Sequence, residues 1–404
     1  MYGKRDDMAK AFSDTQGRKC FEVIQNIPSP YRVHLFTIMW RQLREMGVDF
    51  HVNFMSDFSR GHAERPVSWH NPKMDFPHAY WKDYGYKNHH FNPGMLKWLR
   101  ARRPDYMLIG DPYDCFTSIF AAWLCPAKIR CSWVEGQTKT PGKMHGFLGF
   151  FKRLVLSRCP YVAVPGSDGK KYIELHQSMT RLKMPEVLYL PNLIDEWRFK
   201  PRELWPSEEM ERIRRELSVK ADEKLCLIPA RPTYVKGLDI LLENLTPTML
   251  RGWKVLILGD GEQRSDLLKI IARRRLDDYV AIKSFVSYYE MPKYYAASDL
   301  FMLPSRRDQN PLSVVEALHS GLPVAISNQC GNVEEAVTSE ENGWILPIKD
   351  AAGYTHVLMN VFAAPIEKLR EMGRVSKNVH SQYWNSESSV ACFLDSMIGG
   401  RDES

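Results

Sequence analysis

Short runs of consecutive apolar residues alternate with segments of helical period almost throughout the chain. In the first half the runs are CFEVIQN (20–26), VDFHVNFM (48–55), YMLIG (106–110), KIRCSWV (128–134), YVAVP (161–165) and EVLYLP (186–191). Helical patterns lie between them at 31–46, 93–102, 114–124, 143–158 and 168–176. The second half repeats the rhythm with LCLIPA (225–230), WKVLILG (253–259), VAIKSF (280–285), DLFMLP (299–304), PVAIS (323–327) and GWILP (343–347), with helices from Gly237 and from residue 262. Runs that are apolar on both faces and separated by helices predict parallel sheets covered on both sides. Two such halves predict an α/β protein of two doubly wound, Rossmann-like domains.

The division is expected at LPNLIDEWRFKPRELWPSEE (190–209), where proline and charge become dense. A polar tail (1–18), expected to be disordered, precedes an acceptor-binding domain (19–190) and a nucleotide-binding domain (191–380). A last helix within 381–404 is expected to return to the first domain. Residues 56–91 break the pattern and read as a long polar loop rich in aromatics, among them Trp69, Tyr80, Trp81, Tyr84 and Tyr86, with His89 and His90. A loop of that length is functional or disordered; its rings can stack on sugars or pack on the surface.

Composition narrows the class. The chain has 404 residues, of which 44% are hydrophobic, enough for two cores. The eight cysteines show no CxxC pair and no zinc-ligand spacing, as expected of reduced, buried thiols. The N-terminus lacks the apolar core of a signal peptide, and no run is long enough to cross a bilayer. A cytoplasmic location is therefore expected. The net charge of +7 divides unevenly, +11 over residues 1–200 and −4 over the rest. The first half should attract an anionic partner: headgroups, a lipid-linked pyrophosphate or a nucleic acid. It carries no helix-turn-helix, zinc-finger or ribonucleoprotein signature, which argues against nucleic acid.

Candidate chemistry concentrates in SRRDQNPLSVVEALHSGLPVAIS (305–327). Asn310 reads as a helix N-cap and Pro311 as the first helical residue. Free amides at Pro311, Leu312 and Ser313, proline excepted, and the helix dipole would hold an anion there. Asp308 lies just outside that end, and Glu316 lies one to two turns inside, able to face the same cleft. Alternatively Asp308 caps a loop and Glu316 is a solvated helix residue. In PARPTYVKGLDILLENL, Arg231 follows a strand at its carboxyl end and Lys236 opens the next helix, so two cations within six residues suit a diphosphate. Arg231 can equally pair with an acid. The Gly259-Asp260-Gly261 turn fits neither GxxxxGK[ST] nor GxGxxG, and a tight turn near a ligand explains it.

Taken in order, R-x-x-x-x-K-G, G-D-G, FVSYYEMPKYYAASDLFMLPS and D-x-x-P-L-S-V-V-E-A-L-H-S-G-L-P-V resemble the retaining nucleotide-sugar glycosyltransferases of family 4. PNLIDEWRFKP (191–201) is similar to that family's interdomain motif, and IPSPYRVHLF (27–36), with Tyr31 and Arg32, to a subgroup's first strand-to-helix turn. The resemblance implies the GT-B fold, two such domains facing across a cleft, and a donor of UDP or GDP type with no cofactor. It implies that Arg231 and Lys236 bind the donor diphosphate, that Asp308 contacts the donor sugar and that Glu316 holds the ribose. Asn310 to Ser313 would accept phosphates or sugar, Phe285 and Val286 would lie beside the base, and Gly259 would approach the ligand. SYYE (287–290) is also a capping box.

Two departures stand out. The first acid is Asp308 where the family has glutamate, and the histidine many members carry in the first domain is replaced by CSWVEGQTKTPGKMHG, with Glu135 at the strand end and Gln137, Lys139 and His145 beyond it. Glu135 is a sugar contact or a structural acid. Retention without a dedicated base fits a front-face displacement assisted by the leaving diphosphate, independent of metal. The acceptor is expected to be a saccharide or a lipid-linked saccharide. GKMHGFLGFFKRLVLSR (142–158) reads as an interfacial helix on an anionic membrane or as a packed helix with a basic edge. The rival functions are a nucleotide-sugar epimerase or hydrolase of the same architecture and a catalytically silent nucleotide-sugar-binding scaffold.

Overall fold

The computed structural model describes residues 17–57, 73–86, 89–110, 113, 115–139 and 145–399. The chain forms two compact units, one made of residues up to Leu193 and from Ser386 onward, the other of Ile194–Asn385.

The first unit contains β1 (Cys20–Gln25), α1 (Pro30–Glu45), β2 (Asp49–Phe54), β3 (His78–Tyr80), α2 (Pro93–Arg102), β4 (Tyr106–Gly110), α3 (Phe116–Leu124), β5 (Ile129–Trp133), α4 (Gly146–Leu156), β6 (Tyr161–Val164), α5 (Ser167–Ser178) and β7 (Glu186–Tyr189). The strands form one parallel sheet in the order β3-β2-β1-β4-β5-β6-β7. β1, β4 and β6 are buried along their whole length, as strands covered on both faces must be.

The second unit contains α6 (Ser207–Glu216), β8 (Lys224–Ile228), α7 (Leu238–Asn244), β9 (Trp253–Leu258), α8 (Arg264–Arg273), β10 (Val280–Lys283), α9 (Met291–Ala297), β11 (Leu300–Leu303), α10 (Leu312–His319), β12 (Val324–Ser327), α11 (Val333–Ala336), β13 (Gly343–Leu346), α12 (Ala351–Ala363) and α13 (Ile366–Tyr383). Its parallel sheet runs β10-β9-β8-β11-β12-β13. Both orders reverse beside the first strand of the unit, which places a crevice at the carboxyl ends of the neighbouring strands. The predicted fold class is therefore present twice.

The last helix, α14 (Ser386–Ile398), belongs to the first unit. Val390, Phe393, Leu394 and Met397 enter the core that Leu35, Phe36 and Met39 of α1 share. Fully burying such side chains contributes about 1.5–3 kcal/mol each. Glu387 receives Arg41 and the Gln42 amide (3.1 Å) at the helix start.

Several local expectations are corrected. Residues 56–91 are not loop throughout: β3 pairs with β2, as Val52 to His78 and Phe54 to Tyr80. Three residues are too few for a period-two pattern to show. The run expected as 143–158 is helical from Gly146 to Leu156. The tail over 1–16, Trp69 and Lys143 lie outside the described residues.

Candidate functional site

In the second unit the loops after four strands meet at the carboxyl edge of the sheet. Arg231 follows β8 and is exposed. Gly259 ends β9 at φ 147°, and a Cβ there would stand 2.8 Å from the Ala230 carbonyl oxygen, so the β9 loop can approach the β8 loop only through a glycine. The Gln263 amide bonds the Pro232 carbonyl at 2.9 Å, and the Phe285 amide bonds Asp260 Oδ2 at 2.8 Å. Phe285 is exposed and Val286 half-buried.

Lys236 does not open a helix; it closes a 3-10 turn (Tyr234–Lys236), and α7 begins at Leu238. Gly237 between them sits at φ 64°, where a Cβ would stand 2.2 Å from the Pro304 carbonyl. That close approach brings Lys236 Nζ within 2.5 Å of Asp308 Oδ2, across from the loop after β11. Asp308 in turn bridges to Cys330, beyond β12. The neighbouring Arg306 grips Asp239 with two bonds of 2.6 and 2.7 Å and lies over the Tyr234 ring at 4.1 Å. Burial raises the Asp239 carboxyl, but the Arg306 bonds outweigh it and hold the group below its ordinary range.

The helix start expected at Asn310–Pro311 is shifted. α10 begins at Leu312 with Pro311 in the capping position, and no side chain caps it. Proline supplies the fixed φ but no donor, and the Asn310 side chain does not cap: its Oδ1 is buried without a partner among the described residues. Ser305 Oγ and Asn332 Oδ1 are enclosed and unpartnered too, while Asn332 Nδ2 bonds the Pro311 carbonyl at 3.2 Å. Three orphaned polar atoms around an uncapped helix start are what a bound polar ligand or water would satisfy. SYYE is likewise a turn, since α9 begins at Met291, after it.

Glu316 lies one turn into α10, half-buried and with no ion pair among the described residues. Its carboxylate accepts a 2.6 Å bond from the hydroxyl of Tyr295, a ring with no exposure. Burial pushes the carboxyl up to about 7, with the Tyr295 bond working in the opposite direction. The residue keeps partial surface exposure, so solvent reaches part of the side chain. Tyr295 and Asn332 were missed in the sequence because their partners lie about twenty residues away, on other elements.

The first unit gathers its own candidates. Arg32, in the first turn of α1, is 5% exposed. Its guanidinium lies 3.7 Å from the centre of the Trp133 ring and 5.1 Å from that of Tyr31. It pairs with Glu135, just beyond β5, and bonds Asn192 Oδ1 at 3.1 Å. Arg32 and Glu135, separate candidates in sequence, are thus one ion pair, and Trp133 and Asn192 are partners the sequence did not reveal. Gln137 is buried with Oε1 unpartnered, and exposed His145 precedes α4.

Residues 209–379 match the family model Glycosyl transferases group 1. This stretch resembles those enzymes. An uncharacterized glycosyltransferase of Methanocaldococcus jannaschii is 30% identical over 164 residues, 40% of this chain and 41% of that protein. The amylovoran biosynthesis glycosyltransferase AmsK of Erwinia amylovora is 29% identical over 140 residues, 33% of this chain and 34% of that one. The chain thus spans less than half the length of the curated relatives it matches. Anabaena HepE, solved in complex with UDP and glucose, shares the fold at a TM-score of 0.70 and 14% identity, covering 95% of this chain and all of that one. Every candidate of the second unit, from Arg231 to Glu316, lies inside the matched stretch.

Proposed function

We propose that this protein is a glycosyltransferase that moves a sugar from a nucleoside diphosphate sugar to a saccharide or lipid-linked acceptor, in polysaccharide or glycolipid assembly. The observation that carries the proposal is the carboxyl edge of the second unit. There Arg231, the Lys236–Asp308 pair, an uncapped helix start and the half-buried Glu316 belong to adjoining loops of a glycosyltransferase-like domain. Cations and helix amides suit a diphosphate. A ribose diol donating two hydrogen bonds would stabilise ionised Glu316, whose charge burial otherwise disfavours. The names of AmsK and of the HepE complex with UDP and glucose point the same way.

In this reading the donor cleaves with retention. The diphosphate leaves toward Arg231 and Lys236, takes up the acceptor's proton on the same face, and needs no metal. Preorganised donors of this kind contribute roughly 2.7–4 kcal/mol each. A thermal-shift series of UDP, GDP, ADP and their sugars tests it: one nucleotide stabilises the wild type, and Glu316→Ala loses most of that shift. No response to any nucleotide would remove the assignment, and release of free sugar with no transfer would favour a hydrolase.

The membrane expectation also has an observation behind it. α3 exposes Phe116, Phe120 and Trp123, and α4 exposes Phe147, Leu148 and Phe150. Arg158 lies 4.0 Å over the Trp123 ring. No helix among the described residues is long and apolar enough to cross a membrane. Peripheral contact with an anionic leaflet is the proposed use of this face, and sedimentation with anionic liposomes at low salt is its test.

A further inference from the structure

The long segment between β3 and α2 holds an acid and a histidine that the donor chemistry does not use. Asp83 and His90 have side chains that are each 5% exposed, and His90 Nδ1 stands 2.7 Å from Asp83 Oδ2. The other oxygen, Oδ1, accepts the amides of Gly85 (2.8 Å) and Phe91 (3.0 Å). Burial raises the Asp83 carboxyl, but these amides and His90 outweigh it and hold the group below its ordinary range. An acceptor-only carboxylate on Nδ1 holds a ring proton at that nitrogen, which leaves Nε2 as the position open to a further hydrogen bond. No described residue bonds Nε2.

The pair is firmly placed. Gly85 is required because a Cβ there would stand 1.9 Å from the His89 carbonyl oxygen, where the chain folds back. The His90 carbonyl accepts the Thr117 amide at 3.2 Å, and Asn92 Nδ2 bonds the Met55 carbonyl at 2.9 Å. Met55 follows β2, and Thr117 lies in the first turn after β4. His90 is therefore at the carboxyl edge of the first sheet, beside the strand-order reversal, where α/β folds bind ligands. Tyr84, whose amide bonds the Phe91 carbonyl at 2.9 Å, and Tyr86, bridged to His89, are 60% and 74% exposed. A staple for the loop alone would need only Oδ1 and its two amides. Committing Oδ2 to orient a buried imidazole whose second nitrogen is unbonded goes beyond that.

We propose that Asp83 and His90 form a saccharide-binding site in which His90 Nε2 hydrogen-bonds a sugar hydroxyl, with the exposed rings offering the apolar faces on which pyranoses stack. The site rests on the transferase reading for its role, that of holding the acceptor. Asp83 is a positioning residue acting through His90.

Diethyl pyrocarbonate, which acylates an accessible unprotonated imidazole nitrogen, tests the site without any turnover. Carbethoxylation of His90 in the full chain is followed by peptide mass mapping, with and without the p-nitrophenyl glycosides of glucose, galactose and mannose. His90 is expected to react in the free protein and to be protected several-fold by at least one glycoside. Asp83→Asn keeps the acceptor for the two amides but donates to Nδ1, moving the ring proton to Nε2. His90 in that variant should react several-fold more slowly while the nucleotide thermal shift of the wild type is kept, a change in ring reactivity that a merely structural role would not produce. His90→Gln should lose glycoside binding by saturation-transfer NMR and keep the nucleotide thermal shift of the wild type. An unreactive His90, or reaction at one rate with every glycoside and in Asp83→Asn, overturns the proposal. A nucleotide shift without glycoside protection would leave the transferase reading standing alone, and protection without a nucleotide shift would do the reverse.

Discussion

Two carboxylates, the fully buried Glu22 of the first unit and the half-buried Glu316 of the second, are treated in opposite ways. Glu22, in β1 with no exposure, is surrounded by donors: Arg102 Nε at 3.0 Å, His51 Nδ1 at 3.2 Å and Asn53 Nδ2 at 2.8 Å. Glu316 has the Tyr295 hydroxyl and no cation within salt-bridge distance among the described residues. A buried acid that is fully partnered holds elements together. One left short of partners waits for donors from elsewhere, and pKa displacement of that kind concentrates at functional sites.

The sharpest way to break the comparison is to remove both acids. Glu22→Ala leaves the partly buried Arg102, with His51 and Asn53, beside an empty site and should destabilise the first unit by about 3 kcal/mol in denaturant unfolding. Glu316→Gln should leave stability near wild type at low pH but weaken nucleotide binding roughly 10- to 100-fold, the worth of one or two charge-assisted hydrogen bonds. Calorimetric titration with the nucleotide found by thermal shift measures it.

Titration sharpens the same contrast. The Glu316 carboxyl is raised in the folded state from 4.5 to about 7, so the folded protein binds the proton more tightly than the unfolded chain. Its penalty is absent below the unfolded value, grows as pH rises through that window and is complete above about 7. Glu316→Gln should flatten the stability curve between those limits by an amount on the order of 3 kcal/mol. An unchanged curve would show that the carboxylate is better solvated than its surroundings suggest.

Smaller effects test the cation pairs. Arg32→Lys keeps the charge beside Glu135 but loses the planar stack on Trp133 and the bond to Asn192, and should cost about 2 kcal/mol. Lys236 and Asp308 are partly exposed, so a double-mutant cycle with Lys236→Met and Asp308→Asn should give a coupling of about 1 kcal/mol or less in stability. Lys236→Met should still weaken nucleotide affinity by far more than its effect on folding.

Much of the fold was legible along the chain because strands covered on both faces are mostly apolar. β4 (YMLIG) and β9 (WKVLIL) announce themselves, whereas the three-residue β3 has no pattern to offer. Pro311 marked a helix start to within a residue, but the choice of capping residue turned on backbone geometry: Asn310 faces inward and α10 begins one position later than its proline suggests. The environment of Glu316 was not legible at all. Its neighbour Tyr295 is one of several tyrosines in YYEMPKYYAA, and nothing local distinguishes the ring whose hydroxyl reaches the carboxylate.

The sequence by itself determined the period of the elements, the class of the two sheets and the residue types available at their carboxyl edges, because burial on both faces leaves a signal at each strand. Only the tertiary structure decided the partners: that Arg32 closes on Glu135 over Trp133, that Lys236 meets Asp308, that Glu316 sits beside one hydroxyl and that Asp83 orients His90. Charge state and hydrogen-bond supply depend on distances of a few ångströms between loops far apart in the chain, and those distances exist only once the sheets have set the loops side by side.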